Sequence, residues 1–177
     1  MNNLSTVCPK STSNIAWIDG SSVDLGCIGF TKHSTKKSSA EAVCKQENSH
    51  AHLIEISSEE QQKFMMQSKV RRKVKSVVGH ENANWWIGAE LRSGTWYWTH
   101  SKSQMSYVAK IGHSGSLDKS YSHAAMYLSK TQAYWYDDNG NKYYVMALCQ
   151  ITEPGDYSQT NSKKSKYTII KITYLNL

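Results

Sequence analysis

The chain has 177 residues, two prolines, ten glycines and a formal net charge of +7, which suits one domain with a short appendage and excludes a low-complexity chain. No run approaches the ~18 apolar residues of a membrane span, and there is no P-loop or dinucleotide fingerprint. The basic balance favours acidic partners such as sulfated or sialylated glycans, or serves solubility; charge without a reading motif does not point to nucleic acid.

Four cysteines stand at Cys8, Cys27, Cys44 and Cys149, none of them in a CxxC pair. An even count at wide spacing suits two disulfides in an oxidising compartment rather than a zinc ribbon. Asn3-Leu4-Ser5 is an acceptor pattern for N-glycosylation. Residues 1–7 lack the apolar stretch of a signal peptide, so secretion would mean a leader not present in this chain.

In chain order, Trp17 to Gly20 and Val23 to Phe30 read as strand, turn, strand. Ser38-x-x-Glu41 is a capping box that predicts a helix running toward Asn48. Residues 51–56 form a short β segment. A second box, Ser57-x-x-Glu60, opens a helix with Phe64, Gln67 or Ser68, Arg71 and Val74 on one side. Basic residues between Lys69 and Lys75 wrap the remainder, a pattern that docks anions or forms a solvated face.

Trp85 to Leu91 and Thr95 to Trp98 hold four of the six tryptophans. Strand alternation puts Trp86, Gly88 and Glu90 on one face, and Ile87, Ala89 and Leu91 on the other. Arg92-Ser93-Gly94 between the runs is a turn signal, so the pair reads as a core hairpin. Residues 100–122 show little periodicity and predict a long loop. His123 to Leu128 returns to strand character. Tyr134, Trp135, Tyr136, Asp137, Asp138 and Asn139 lead into a polar turn, and residues 143–149 close as a buried strand. Glu153-Pro154-Gly155 ends the domain; a basic linker and a β-prone tail, residues 167–177, follow. Such a tail would seek a partner edge in its own sheet or in another chain.

In this order the pieces resemble a C-type lectin-like domain of the long form over roughly residues 8–152. The matching pieces are Cys8-Pro9 with Cys27, the helix ending at Cys44, His52 to Glu60, Trp86-Ile87-Gly88-Ala89, Trp96-Tyr97-Trp98 and Cys149-Gln150. The resemblance implies an α+β double-loop fold with two helices and two small antiparallel sheets. Trp86, Gly88, Trp96 and Trp98 would sit in its core. It also implies Cys8–Cys27 and Cys44–Cys149 bridges; closing ~100 residues, the second would contribute about 4–5 kcal/mol on the chain-entropy estimate.

Three departures bear on function. Sugar-binding members hold calcium with two carbonyl-bearing side chains around a cis proline, but no proline lies here between Pro9 and Pro154. The second calcium element, Trp-Asn-Asp, is kept in part as Trp135 to Asp138; one inserted residue would let Asp137 and Asp138 fill both ligand positions. With Asp118 these are the carboxylates on offer for calcium, opposed by Lys110 and Lys119. The loop-closing disulfide is missing too: Ala124 or Ala125 and Gly140 or Asn141 stand near its expected ends, which should free the long loop.

His50 and His52 have strand spacing for two metal ligands but no third ligand with zinc spacing follows. His113, Ser114 and His123 lack a nucleophile elbow, so no enzyme is expected and no cofactor is required. The expectation is a secreted module that recognises carbohydrate, anionic glycans included, through the long loop and the 135–141 turn. Its candidate contacts are His113, Asp118, Tyr134, Trp135, Tyr136, Asp137, Asp138 and Asn139. The alternative is a protein-binding module on the same fold that self-associates through the tail.

Overall fold

The computed structural model describes residues 7–79, 82–108, 117, 121–141 and 145–152. Its strands are β1 (Ile15–Asp19), β2 (Cys27–Ser34), β3 (His52–Leu53), β4 (Ala83–Arg92), β5 (Thr95–Trp98), β6 (His123–Leu128), β7 (Ala133–Asp138) and β8 (Met146–Ile151). The helices are α1 (Lys37–Glu47), α2 (Glu59–Met65) and α3 (Ser68–Val78).

The strands join in one hydrogen-bonded sheet, ordered β1-β2-β8-β4-β6-β7, with β3 on β8 and β5 on β4. The two antiparallel groups expected are both present, β1-β2-β8 with β3 and β4-β6-β7 with β5, and they are joined into one mixed sheet. The link is a short parallel pairing of β4 with β8, Trp85 opposite Met146 and Trp86 opposite Ala147. Every residue of β8 is buried, as a strand flanked by neighbours on both edges and covered on both faces requires. Thr31 holds its β2 flank: the hydroxyl donates to the carbonyl of Ala147 and accepts from its N–H, both at 2.9 Å.

Two cores lie on the two sheet faces, and the alternation of β4 supplies both. Trp85, Ile87 and Ala89 enter the larger core with Trp96, Trp98, Trp135 and the apolar side of α2 and α3. Trp86 enters the smaller one with Ala40 and Cys44 of α1. Gly88 is required where the sheet meets the segment after β3: a methyl group there would lie 2.8 Å from the carbonyl oxygen of Leu53. At the β4–β5 turn Ser93 and Gly94 have φ of 47° and 78°, the two positive values of a tight two-residue hairpin loop.

Both predicted bridges form. Cys8 joins Cys27, and Cys44 joins Cys149 across a sequence separation of 105, tying α1 to β8.

The helix starts differ from the sequence expectation. No side chain caps α1, and the Ser38–Glu41 box is not formed. Instead the N–H of Lys37 donates to the carbonyl of Gly140 at 3.1 Å, and the Glu41 carboxylate accepts from the N–H of Leu53 at 3.2 Å. The second box is shifted by one residue. Ser58 Oγ accepts from the N–H of Gln61, while Gln61 Oε1 accepts from the N–H of Ser57. The second predicted helix is two: it breaks at Met66 and Gln67, and α3 restarts with Val70, Val74 and Val78 as its buried side. Gln67 and Ser68 are consequently exposed.

Candidate ligand-binding surface

Strand alternation divides the predicted 134–139 cluster between the two sheet faces. Trp135 points into the larger core and is fully buried. Its Nε1–H donates to Gln62 Oε1 at 3.0 Å, and its ring meets Trp98 and Tyr107 edge-on, each at 5.8 Å between centroids. Trp135 therefore has no face to offer a sugar, a correction to its place among the expected contacts. Asp137 shares that side by alternation, and its Oδ2 accepts from the N–H of Tyr121 at 2.8 Å, anchoring the end of the long loop.

Tyr134, Tyr136 and Asp138 take the opposite face. Tyr134 and Tyr136 are half-buried, with centroids 6.3 Å apart. Tyr127 of β6 lies directly across from Tyr134, centroids 5.1 Å apart. Asn84 of β4 pairs with Tyr127 in register and accepts from the Tyr136 hydroxyl at 2.9 Å. Three phenol rings and one amide thus share one partly open surface at the β7 edge. Tyr127 and Asn84 escape a reading that ends each motif at its own strand; the signal was the period-two pattern that sets Tyr127 on the side of His123 and Ala125. Asn139 is exposed, its Oδ1 accepting from the N–H of Asn141. His113 and Asp118 lie outside the described residues.

Next to this surface, the start of α1 covers a row of charged side chains. Glu90, His123 and Asp138 are consecutive cross-strand partners over β4, β6 and β7. Asp138 is only 1% exposed, and its Oδ1 accepts from the N–H of Gly140 at 3.0 Å. Burial pushes the Lys37 ammonium down to about 8, against the pull of Glu41 and Glu90. Burial, then the Lys37 charge, holds His123 below the usual imidazole range, with Glu90 and Asp138 opposing. On the far side of the sheet centre, buried His52 stacks flat on His100, centroids 3.7 Å apart. Burial keeps His52 low as well. His52 is thus a buried core residue in a stacked pair.

The family model for the lectin C-type domain matches residues 31–151. The chain belongs to the C-type lectin domain family. Solved structures agree on the fold. The C-type lectin domain of murine dendritic cell inhibitory receptor 2, solved in complex with an N-glycan, superposes with a TM-score of 0.59 at 18% identity, over 83% of this chain and 100% of that one. The mouse scavenger receptor C-type lectin carbohydrate-recognition domain gives 0.54 at 18%, over 78% and 95%. EMS16, an antagonist of a collagen receptor integrin, gives 0.52 at 20%, over 82% and 100%. No curated protein sequence matches the chain significantly.

Among the described residues, the calcium ligands the family implies are not gathered at one site. The ion needs six to eight oxygens gathered on one side. Here Asp138 is buried and accepts from the N–H of Gly140, while Asp137 sits on the other side of the strand and already serves the N–H of Tyr121. Among the described residues no group of three or more His, Cys, Asp or Glu side chains is placed to hold a metal. The described residues therefore do not fit calcium in the usual position.

Proposed function

We propose that this C-type lectin domain is a secreted recognition module that binds carbohydrate without calcium in the usual position. The binding surface runs along β7 from Tyr134 through Tyr136 to Asn139, with Tyr127 and Asn84 beside it; His113 and Asp118, which lie outside the described residues, are the further contacts proposed. The three half-buried tyrosines carry this reading. Phenol rings present C–H-stacking faces together with hydroxyls for sugar hydrogen bonds, and β-sheet positions hold them in place. Two disulfides support an oxidising, extracellular setting, and no helix among the described residues is long and apolar enough to cross a membrane. In this reading residues 8–152 are the domain, residues 153–177 a basic linker and tail, and Asn3-Leu4-Ser5 an acceptor for N-glycosylation.

A glycan array run with calcium and again with chelator tests this. Binding retained in chelator and lost in Tyr134→Ala supports it; silence in both conditions removes it. The second reading is a protein-binding module, favoured by the same surface, because tyrosines are enriched at protein contacts. Self-association through residues 167–177, which lie outside the described residues, belongs to that reading. Light scattering with and without residues 158–177 tests it, and a monomer in both forms would remove it.

A further inference from the structure

Helix α3 presents a second surface, far from the tyrosines. Val70, Val74 and Val78 are its buried side, packed toward β1 and β2. At 100° per residue, positions 69, 71, 72, 73, 75 and 76 sweep the remaining arc of about 200°. They are Lys69, Arg71, Arg72, Lys73, Lys75 and Ser76, and no acidic residue occurs from Gln61 to His80.

Lys45 pairs with Glu41, Lys63 with Glu59 and Arg92 with Glu90, and none of these three pairs engages Lys69, Arg72 or Lys73. Asp19 of β1, held low first by its hydrogen bonds to Ser21, also feels the Lys69 charge, and the Lys69 ammonium lies 5.0 Å from the centroid of the Phe64 ring. Arg71 donates its Nε–H to the carbonyl of Met66 at 3.1 Å, which fixes its guanidinium at the start of the stripe. Eleven residues make a stripe about 16 Å long.

We infer that the outer face of α3 is a docking surface for a sulfated glycosaminoglycan chain. A linear polyanion satisfies many cations along a rod at once, and arginine pairs well with planar or tetrahedral oxyanions. On the extracellular reading proposed above, which the two disulfides favour, such polyanions are sulfated glycans rather than nucleic acid. The surface is also separate from the tyrosine surface. With the order β1-β2-β8-β4-β6-β7, α3 lies over one edge of the sheet and β7 is the other, five strand spacings or about 24 Å away. Both ligands fit on one domain together.

Binding of the full chain to immobilised heparin at about 0.15 M salt is the test. The wild-type chain is retained, and the exposed pair Arg72→Glu with Lys73→Glu, checked for folding by circular dichroism, lowers affinity tenfold or more. Removing these two contacts also flattens the slope of log K against log salt by about 1.5–2. Tyr134→Ala leaves heparin binding intact. No retention of the wild type, equal binding of desulfated heparin, or a loss that instead follows replacement of Lys163, Lys164 and Lys166 by serine would overturn the assignment. Tighter binding to single-stranded DNA or to anionic phospholipid vesicles at the same salt would overturn the choice of occupant.

Discussion

The imidazole of His123 lies over the α-carbon of Gly140, so that a methyl group built there would meet Cδ2 at 2.8 Å and Lys37 Cβ at 3.2 Å. Sequence reasoning placed the ends of a missing loop disulfide near Ala124 or Ala125 and near Gly140 or Asn141. The structure buries both alanines and brings His123 to Gly140 instead, so a packed contact stands at the foot of the long loop. Gly140 also has φ of 80°. Gly140→Ala therefore meets a steric clash and a left-handed backbone together, and should cost about 1–3 kcal/mol in urea unfolding. An unchanged midpoint would mean that the contact is loose.

Acid should weaken the fold through two histidines. Both His123 and His52 titrate in the folded chain below their ordinary 6.5. As pH falls below 6.5 the unfolded chain takes up their protons first, so stability is present above that value and is lost through the folded pKa values. The urea midpoint should drop between pH 7 and pH 5, and His123→Gln should drop less. Equal slopes in the two proteins would deny the imidazole a part.

Lys37 works in the opposite pH range. Its amine is lowered from 10.5 to about 8, a difference of about 3 kcal/mol between charged and neutral forms. Between those values the unfolded chain holds the proton and the folded chain does not, so this group adds stability as pH rises from 8 to 10.5. At pH 7, Lys37→Met should match or exceed the wild type in stability. That advantage should shrink toward pH 10. A constant difference across the range would contradict a buried ammonium.

How much of this was legible in the sequence differs from element to element. The tryptophan hairpin was readable because period-two burial and the Ser93-Gly94 turn are local properties. The α2 cap was misread by one position because Ser57-x-x-Glu60 and Ser58-x-x-Gln61 are equally good boxes. The choice is made at long range, by the Gln61 amide donating to the carbonyl of Val23 at 3.0 Å. The break before α3 has no proline or glycine to announce it. At the site, the aromatics of β7 were visible, but which of them faced out depended on the core. Trp135 and Tyr136 are adjacent letters with opposite fates, and Tyr127 joins them only through strand pairing.

The burial of Trp135 has a direct test of its own. Gln62 is fully buried and its Oε1 takes the indole N–H. Gln62→Leu keeps the volume and strands that donor, which should cost about 1–3 kcal/mol by the desolvation of an unmet polar group. Glycan binding should be unaffected, because the ring faces the core. A variant as stable as the wild type would place the indole elsewhere.

The measurement closest to the central claim is calorimetric titration of the folded chain with calcium, followed by glycan binding before and after chelation. Recognition by a tyrosine surface predicts no saturable calcium heat and the same glycan affinity in chelator. A stoichiometric calcium isotherm, with glycan binding abolished by chelation and restored by the ion, would contradict it.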